Sequence, residues 1–397
     1  MNVRRLSALT CSLLLAACAT QTPVPTPTTP PVSPPTTPQQ PPVKPSGARA
    51  TYHQTSFATL PGWQDGDTAA GWQAWLISCR TVARRAGWGD ACAASAGVNP
   101  QDPAAIRQFF ESRFTPWQLA DGQETAGMIT GYYEPLLTGS RTRTAQSTVP
   151  LYPVPNDLIN VDLASVYPQL NGLRLRGRLV GRKLVPYWTA GDIADGKGVS
   201  PGNALVWVND PVEAIFLQIQ GSGRVQLPDG SMVRVGYADQ NGQPYNSIGR
   251  YLIDKGELKA SEASMQGIKA WAKRNPERLK ELYTANPSYV FFRDLGAAEG
   301  GPLGAMGLPL TDGGSIAVDP KSTPLGAPVW LSTTLPNSNA PLRRLVGAQD
   351  TGGAIKGAVR ADFFWGFGDE AGAQAGRMKQ RGQMWLLLPN GVKPPQG

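Results

Sequence analysis

From Gly127 to Asp239 the chain runs as short apolar stretches cut by turn residues, and this pattern restricts the fold more than any other feature. "MITGYYEPLL", "RLVGRKLVPYW", "NALVWVND", "EAIFLQIQGSG" and "RVQLPDGSMVRVGYA" have the length and composition of strands. Asp229-Gly230 in the last of them is a hairpin signal. In "FLQIQ" the alternation sets Phe216, Gln218 and Gln220 on one face against Leu217 and Ile219 on the other. Strand signals return after Pro287 in "SYVFFR", "GSIAVD", "APVWLS", "RRLVGAQD" and "QMWLLLP". Helical spacing is confined to other stretches. Trp72, Trp75, Leu76, Cys79, Val82 and Ala83 form one stripe that ends at Gly87. Asp102-Pro103 reads as an N-cap and first-turn proline before Ile106, Phe109, Phe110 and Phe114. "SIGRYLIDKG", the set Met265, Ile268 and Trp271, and a run opening at Asn275-Pro276 make three more helices. Helices segregated from strands in this way predict a mainly β, α+β fold with peripheral helices.

The first residues say where such a fold would work. Residues 1–17 carry Arg4 and Arg5 before a short apolar run, which reads as a secretory signal and is too short for a permanent span. "LAAC" resembles a bacterial lipobox, so Cys18 is the expected lipidation site, and Ala19 in place of Asp fits outer-membrane delivery. Residues 18–46 are then a proline-rich tether. From Thr22 to Ser46 it would reach roughly 75 Å if fully extended as polyproline II. The expected place is an outer-membrane lipoprotein facing the periplasm. Cys79 and Cys92 are left to the folded part and are disulfide candidates in an oxidising compartment, or two buried thiols.

Composition narrows the chemistry. A formal charge of +8 and a pI near 9.3 favour anionic partners. The basic residues are scattered, without the basic and aromatic runs of a nucleic-acid binder, so no nucleic acid is expected. The single histidine, His53, leaves no Ser-His-Asp triad and no multi-histidine zinc site. Carboxylates must carry any catalysis. Asp362 heads the aromatic run Phe363, Phe364, Trp365, where apolar surroundings raise a carboxyl pKa toward that of a general acid. Asp319 before Pro320 reads by itself as a turn residue, and Asp350 in "AQDTGGAIKG" can also be read as an Asx-turn residue. "GGAIKG" is no phosphate loop, and "QIQGSG" is no dinucleotide fingerprint.

The segments "GYYEPLLTGSR", "LVWVNDPVEAIFLQIQGSGRVQLPDG", "RVGYADQNGQPYNSIGRYLIDKGE", "NPSYVFF", "AVDPKSTPLG" and "AQDTGGAIKGAVRADFFWGFGDEAG" together resemble the membrane-bound lytic murein transglycosylase A family with its three-aspartate ("3D") domain. The resemblance covers most of the chain beyond Gly127. It implies a double-psi β-barrel over 47–136 and 241–397, with the 3D motif at 315–390. It also implies an inserted β-domain over 137–240 that forms the other wall of a glycan groove. The implied reaction cuts the β-1,4 bond between N-acetylmuramic acid and N-acetylglucosamine in peptidoglycan and leaves 1,6-anhydromuramoyl ends. Asp362 falls at the position of the catalytic acid, and Asp350 and Asp319 fall at the other two motif aspartates. No cofactor or metal is implied.

Candidate sugar contacts are Tyr132 or Tyr133, Tyr237 and Trp365 for stacking, with Gln218, Gln220, Ser222, Asn241, Gly353 and Lys356 offering polar groups. The two glutamines read equally well as a side-chain ladder. Asp350 and Asp319, if close, would hold Asp362 protonated by like-charge repulsion, and Lys356 would oppose it. The expected partners are peptidoglycan glycan strands, the outer membrane through the lipid, and cell-wall synthesis or division proteins. Two other readings stay open. One is a muramidase-type hydrolase, which would need a second carboxylate such as Asp369, Glu370 or Glu134. The other is a non-catalytic, lipid-anchored peptidoglycan binder.

Overall fold

The computed structural model describes residues 50–395, apart from 172 and 297–299. The signal segment, Cys18 and the tether lie outside the described residues. The first part comprises β1 (Ala50–Gln54), α1 (Ala69–Val82), α2 (Gly89–Ala94), α3 (Pro103–Arg113), β2 (Phe114–Asp121) and β3 (Gly127–Glu134). The aromatic stripes of α1 and α3 meet in the core, with Trp72 edge-on to Phe109 at 5.0 Å. Asp102 caps α3 by accepting from the Ala104 and Ala105 amides, and Pro103 opens its first turn. Cys79 of α1 is bonded to Cys92 of α2, with their Cα atoms 5.6 Å apart.

The middle of the chain holds β4 (Leu136–Ser140), β5 (Val149–Leu151), β6 (Ile159–Asn160), β7 (Arg176–Val180), β8 (Lys183–Pro186), α4 (Ala190–Ala194) and β9 (Val206–Val208). It continues with α5 (Pro211–Gln220), β10 (Ser222–Gln226), β11 (Met232–Gln240), α6 (Ile248–Asp254), α7 (Met265–Arg274), α8 (Leu279–Ala285) and β12 (Val290–Asp294). The last part is β13 (Ser315–Val318), β14 (Pro328–Thr334), β15 (Pro341–Asp350), β16 (Arg360–Phe367), α9 (Gly368–Ala375) and β17 (Lys379–Pro389). The result is a mixed α/β fold with an inserted unit and peripheral helices.

Three sheets organise these strands. The largest has the order β1-β2-β17-β14-β15-β13-β16-β3, and β17 also pairs with β3. The long β17 does both: its residues from Trp385 to Pro389 face β2, and those from Lys379 to Gly382 face β3. Its core sets Val329, Leu345, Val346, Phe363 and Leu386 against Trp72 and Trp75 of α1. The second sheet has the order β12-β11-β10-β4-β9-β5, and β6, β7 and β8 form a small third. Because β12 pairs with β11, the second sheet runs on to Asp294, beyond the 137–240 expected for the insert. Helices α6 to α8 also gather on α5, around Ile215, Leu252, Trp271 and Leu282.

One expected strand is a helix. "EAIFLQIQ" belongs to α5, so the strand alternation of Phe216, Gln218 and Gln220 does not hold. The local signals explain why. Asp210 accepts from the Val212 and Glu213 amides, Pro211 occupies the first turn, and Gly221 closes the helix in the left-handed region at φ 83°. The buried positions Val212, Ala214, Ile215 and Leu217 then follow a helical stripe.

Candidate active site

The largest sheet brings two of the three motif aspartates onto one row. In β15, β13, β16 and β3 the residues Asp350, Ala317, Asp362 and Thr130 stand opposite one another in register. With one strand between them, the backbones of Asp350 and Asp362 are about 10 Å apart. Tyr132 lies two residues beyond Thr130, on the same face of β3, and donates from its hydroxyl to Asp350 Oδ2 at 3.1 Å. Tyr132, Leu310, Ala317, Ile355 and Phe364 form the apolar cluster beside both carboxyls.

The two carboxyls differ in what surrounds them. Asp350 Oδ1 accepts from the Ala305 amide at 3.0 Å and its neighbour Thr351 at 2.9 Å, so with Tyr132 both oxygens are occupied. Burial still outweighs these donors and pushes its pKa up to about 6, with the nearby Asp362 charge adding a smaller push. Asp362 Oδ1 accepts from the Thr130 hydroxyl at 2.5 Å, while Oδ2 has no partner among the described residues. Burial raises the Asp362 pKa, and the Thr130 hydrogen bond and the Arg360 guanidinium pull the other way. The leading cause is therefore desolvation, not repulsion from Asp350 and Asp319. The opposing cation is Arg360, not Lys356, which is exposed.

Asp319 does not join the pair. It is buried just past β13 and accepts from the Lys321 amide at 3.1 Å and the Gly357 amide at 3.0 Å. It thus makes the expected turn and also fastens the loop between β15 and β16. Gly353 and Lys356 stand exposed on that loop, while Ile355 packs inward beside Tyr132.

The structure sorts the other candidates. Asn241 is fully buried: it donates to the Trp188 and Pro287 carbonyls at 2.9 and 2.8 Å and accepts from the Tyr289 amide at 2.9 Å. It is a structural clamp with nothing left for a ligand. Gln218 accepts from the Val290 amide at 3.1 Å and Gln220 from the Tyr133 amide at 3.0 Å, so both pin α5 to strands. This replaces the ladder reading as well. Tyr133 is buried, its hydroxyl on Met265. Trp365 alternates away from Asp362 and packs edge-on against Phe363 at 5.0 Å, its indole nitrogen on Met378. Ser222 and Tyr237 sit together where α5 hands over to β10, and Tyr237 stays 37% exposed. A pocket of about 160 Å³ lined by Gly131, Tyr133, Gln220 and Met265 lies on the far face of β3 from Asp362.

The carboxylates a hydrolase would need are otherwise engaged or solvated. Glu134 is 1% exposed and bound to Arg224 at 2.9 Å. Asp369 and Glu370 are exposed in the first turn of α9. Thr130 and Arg360 went unnoticed in the sequence. The period of two in "RAD" would have placed Arg360 beside Asp362, but Thr130 is 232 residues away and only strand pairing brings it in.

Comparison with known proteins gives the family. Residues 128–293 match the family model described as "MltA specific insert domain", and residues 314–388 match the "3D domain" model. The membrane-bound lytic murein transglycosylase A of Escherichia coli K12 is 33% identical over 296 residues, 72% of each chain. The crystal structure of MltA from Neisseria gonorrhoeae is 42% identical with a TM-score of 0.78, covering 89% of this chain and 96% of that one. The E. coli MltA structure with bound chitohexaose is 26% identical with a TM-score of 0.66, covering 85% and 94%. This chain therefore belongs to the membrane-bound lytic murein transglycosylase A family and is a lytic transglycosylase of peptidoglycan.

Proposed function

We propose that Asp362 cleaves the N-acetylmuramic acid–β-1,4–N-acetylglucosamine bond as acid and then as base, leaving 1,6-anhydromuramoyl ends. The observation that carries this is the free Oδ2 of a desolvated carboxyl beside an Asp350 whose oxygens are both taken. Asp362 Oδ2–H gives its proton to the glycosidic oxygen as the C1–O bond breaks. The C6 hydroxyl of the same muramic acid closes on C1, and its proton returns to Oδ2. The nucleophile is tethered, so it needs no second carboxylate to activate water. Glu134 is held by Arg224, which fits that economy.

The finer architecture follows the same reading. Pairing runs from β17 through β14, β15, β13 and β16 to β3 and back to β17, which supports a double-psi barrel. The second sheet supplies the facing wall, and the chitohexaose held by the E. coli neighbour supports a glycan strand lying between the two. Tyr237, Ser222, Gly353 and Lys356 remain accessible to such a strand. A lipid on Cys18 and the tether would hold the enzyme to the outer membrane, within reach of the wall and of cell-wall synthesis or division proteins.

Asp362→Asn tests the assignment. It keeps the shape but supplies no carboxylic proton, so turnover on purified sacculi should fall by roughly 10²–10⁴-fold. Glycan binding and melting temperature should change little. Near-normal turnover would move the acid to Asp350.

A further inference from the structure

We infer that Arg360 is a positioning residue: by donating to the Thr130 hydroxyl it turns that hydroxyl onto Asp362 Oδ1 and confines the transferable proton to Oδ2. This rests on the reading of Asp362 as the acid and adds which of its two oxygens reacts and what decides it.

The contacts form a directed chain. Arg360 Nη2 donates to Thr130 Oγ1 at 2.9 Å, and Thr130 Oγ1 donates to Asp362 Oδ1 at 2.5 Å. Guanidinium nitrogens only donate, so the first link has one polarity. A hydroxyl has one proton, and among the described residues Asp362 is the acceptor offered to it. If the Asp362 proton sat on Oδ1 and pointed at Thr130, the threonine proton would lose its partner in a part-buried site, which is costly. With the threonine donating, Oδ1 is the acceptor and Oδ2 carries the proton. Among the described residues Oδ2 is also the oxygen without a partner, hence the one open to a glycosidic oxygen.

The guanidinium is itself held in place. Its Nη1 donates to the Met128 carbonyl at 3.3 Å and to the Ala361 carbonyl. Met128 lies on β3 and Ala361 on β16, both just before the Thr130–Asp362 pair, so the guanidinium spans the two strands there. Arg360 therefore reaches Asp362 through Thr130, alongside the pull of its charge.

A double-variant cycle tests the relay in the full-length protein on soluble peptidoglycan glycan strands, with kcat and KM measured separately. Thr130→Val and Arg360→Leu should each lower kcat by about 10- to 100-fold, the range governed by one charge-assisted hydrogen bond, with KM little changed. The double variant should be no slower than the slower single one, because both remove the same link. Arg360→Lys, which can still donate to Thr130, should recover part of the rate. Multiplying effects in the double variant would overturn the relay, as would a Leu variant with normal kcat while Asp362→Asn is inactive. An active Asp362→Asn in the same assay would overturn the assignment of the acid and the relay with it.

Discussion

At the scale of single residues, two carboxyls on one row of strands have been given unequal work. Burial carries the Asp350 pKa up to about 6, and the charge of Asp362 adds a smaller push. Removing that charge with Asp362→Asn should lower the Asp350 pKa below about 6, read by carboxyl titration in the infrared. An unmoved Asp350 titration would uncouple the two carboxyls. Asp350→Asn has a stability signature. The folded pKa of Asp350 lies above its ordinary 3.8, so stability is lost as pH rises from about 4 to about 6. The shift is worth on the order of 3 kcal/mol once complete. The difference in melting temperature between Asp350→Asn and wild type should therefore grow in favour of the variant from pH 4 to pH 7. Equal differences at the two pH values would contradict it. The aspartates themselves were legible in the motif. Thr130 and Arg360 were not, because their part in the site depends on which strands are neighbours.

Among the elements, α5 shows where sequence signals competed. Strand-like alternation in "FLQIQ" and the Asp210-Pro211 cap pointed in opposite directions, and the cap with Gly221 prevailed. The equivalent pair Asp102-Pro103 had already marked α3 correctly. The consequence reaches function: a helix there lets Gln220 take the Tyr133 amide of β3, and so joins the second sheet to the strand that carries Thr130 and Tyr132. Elsewhere the 14-residue α1 and the 6-residue α2 are joined across a 13-residue separation by Cys79–Cys92. Replacing both cysteines by serine should lower stability by about 2–4 kcal/mol through a freer unfolded chain. The aspartates lie outside these helices, so kcat at 25 °C should be retained. Unchanged melting would mean the bond adds nothing to stability.

Across the whole molecule, most strands and the helices α1, α3, α6, α7 and α8 could be read from the chain, whereas α5 and the sheet order could not. β13 lies between β15 and β16, and β3 runs parallel beside β16 from far away in sequence. That pairing assembles the surroundings of Asp362, and no periodicity encodes it. The reach of the second unit to Asp294 was hidden for the same reason, since β12 joins its sheet after three helices. At this scale the lipid reading also makes a prediction. Cys18→Ala should move the protein from membrane to soluble fractions with activity preserved, and full membrane retention would assign anchoring to another segment. The central claim is that the substrate's own hydroxyl, not water, takes the anomeric carbon. Its most direct test is mass analysis of muropeptides from purified sacculi digested in ¹⁸O-water. The products should be one water lighter than those of a muramidase, resist borohydride and carry no label at C1. Labelled, reducible muramic ends as the main product would contradict it.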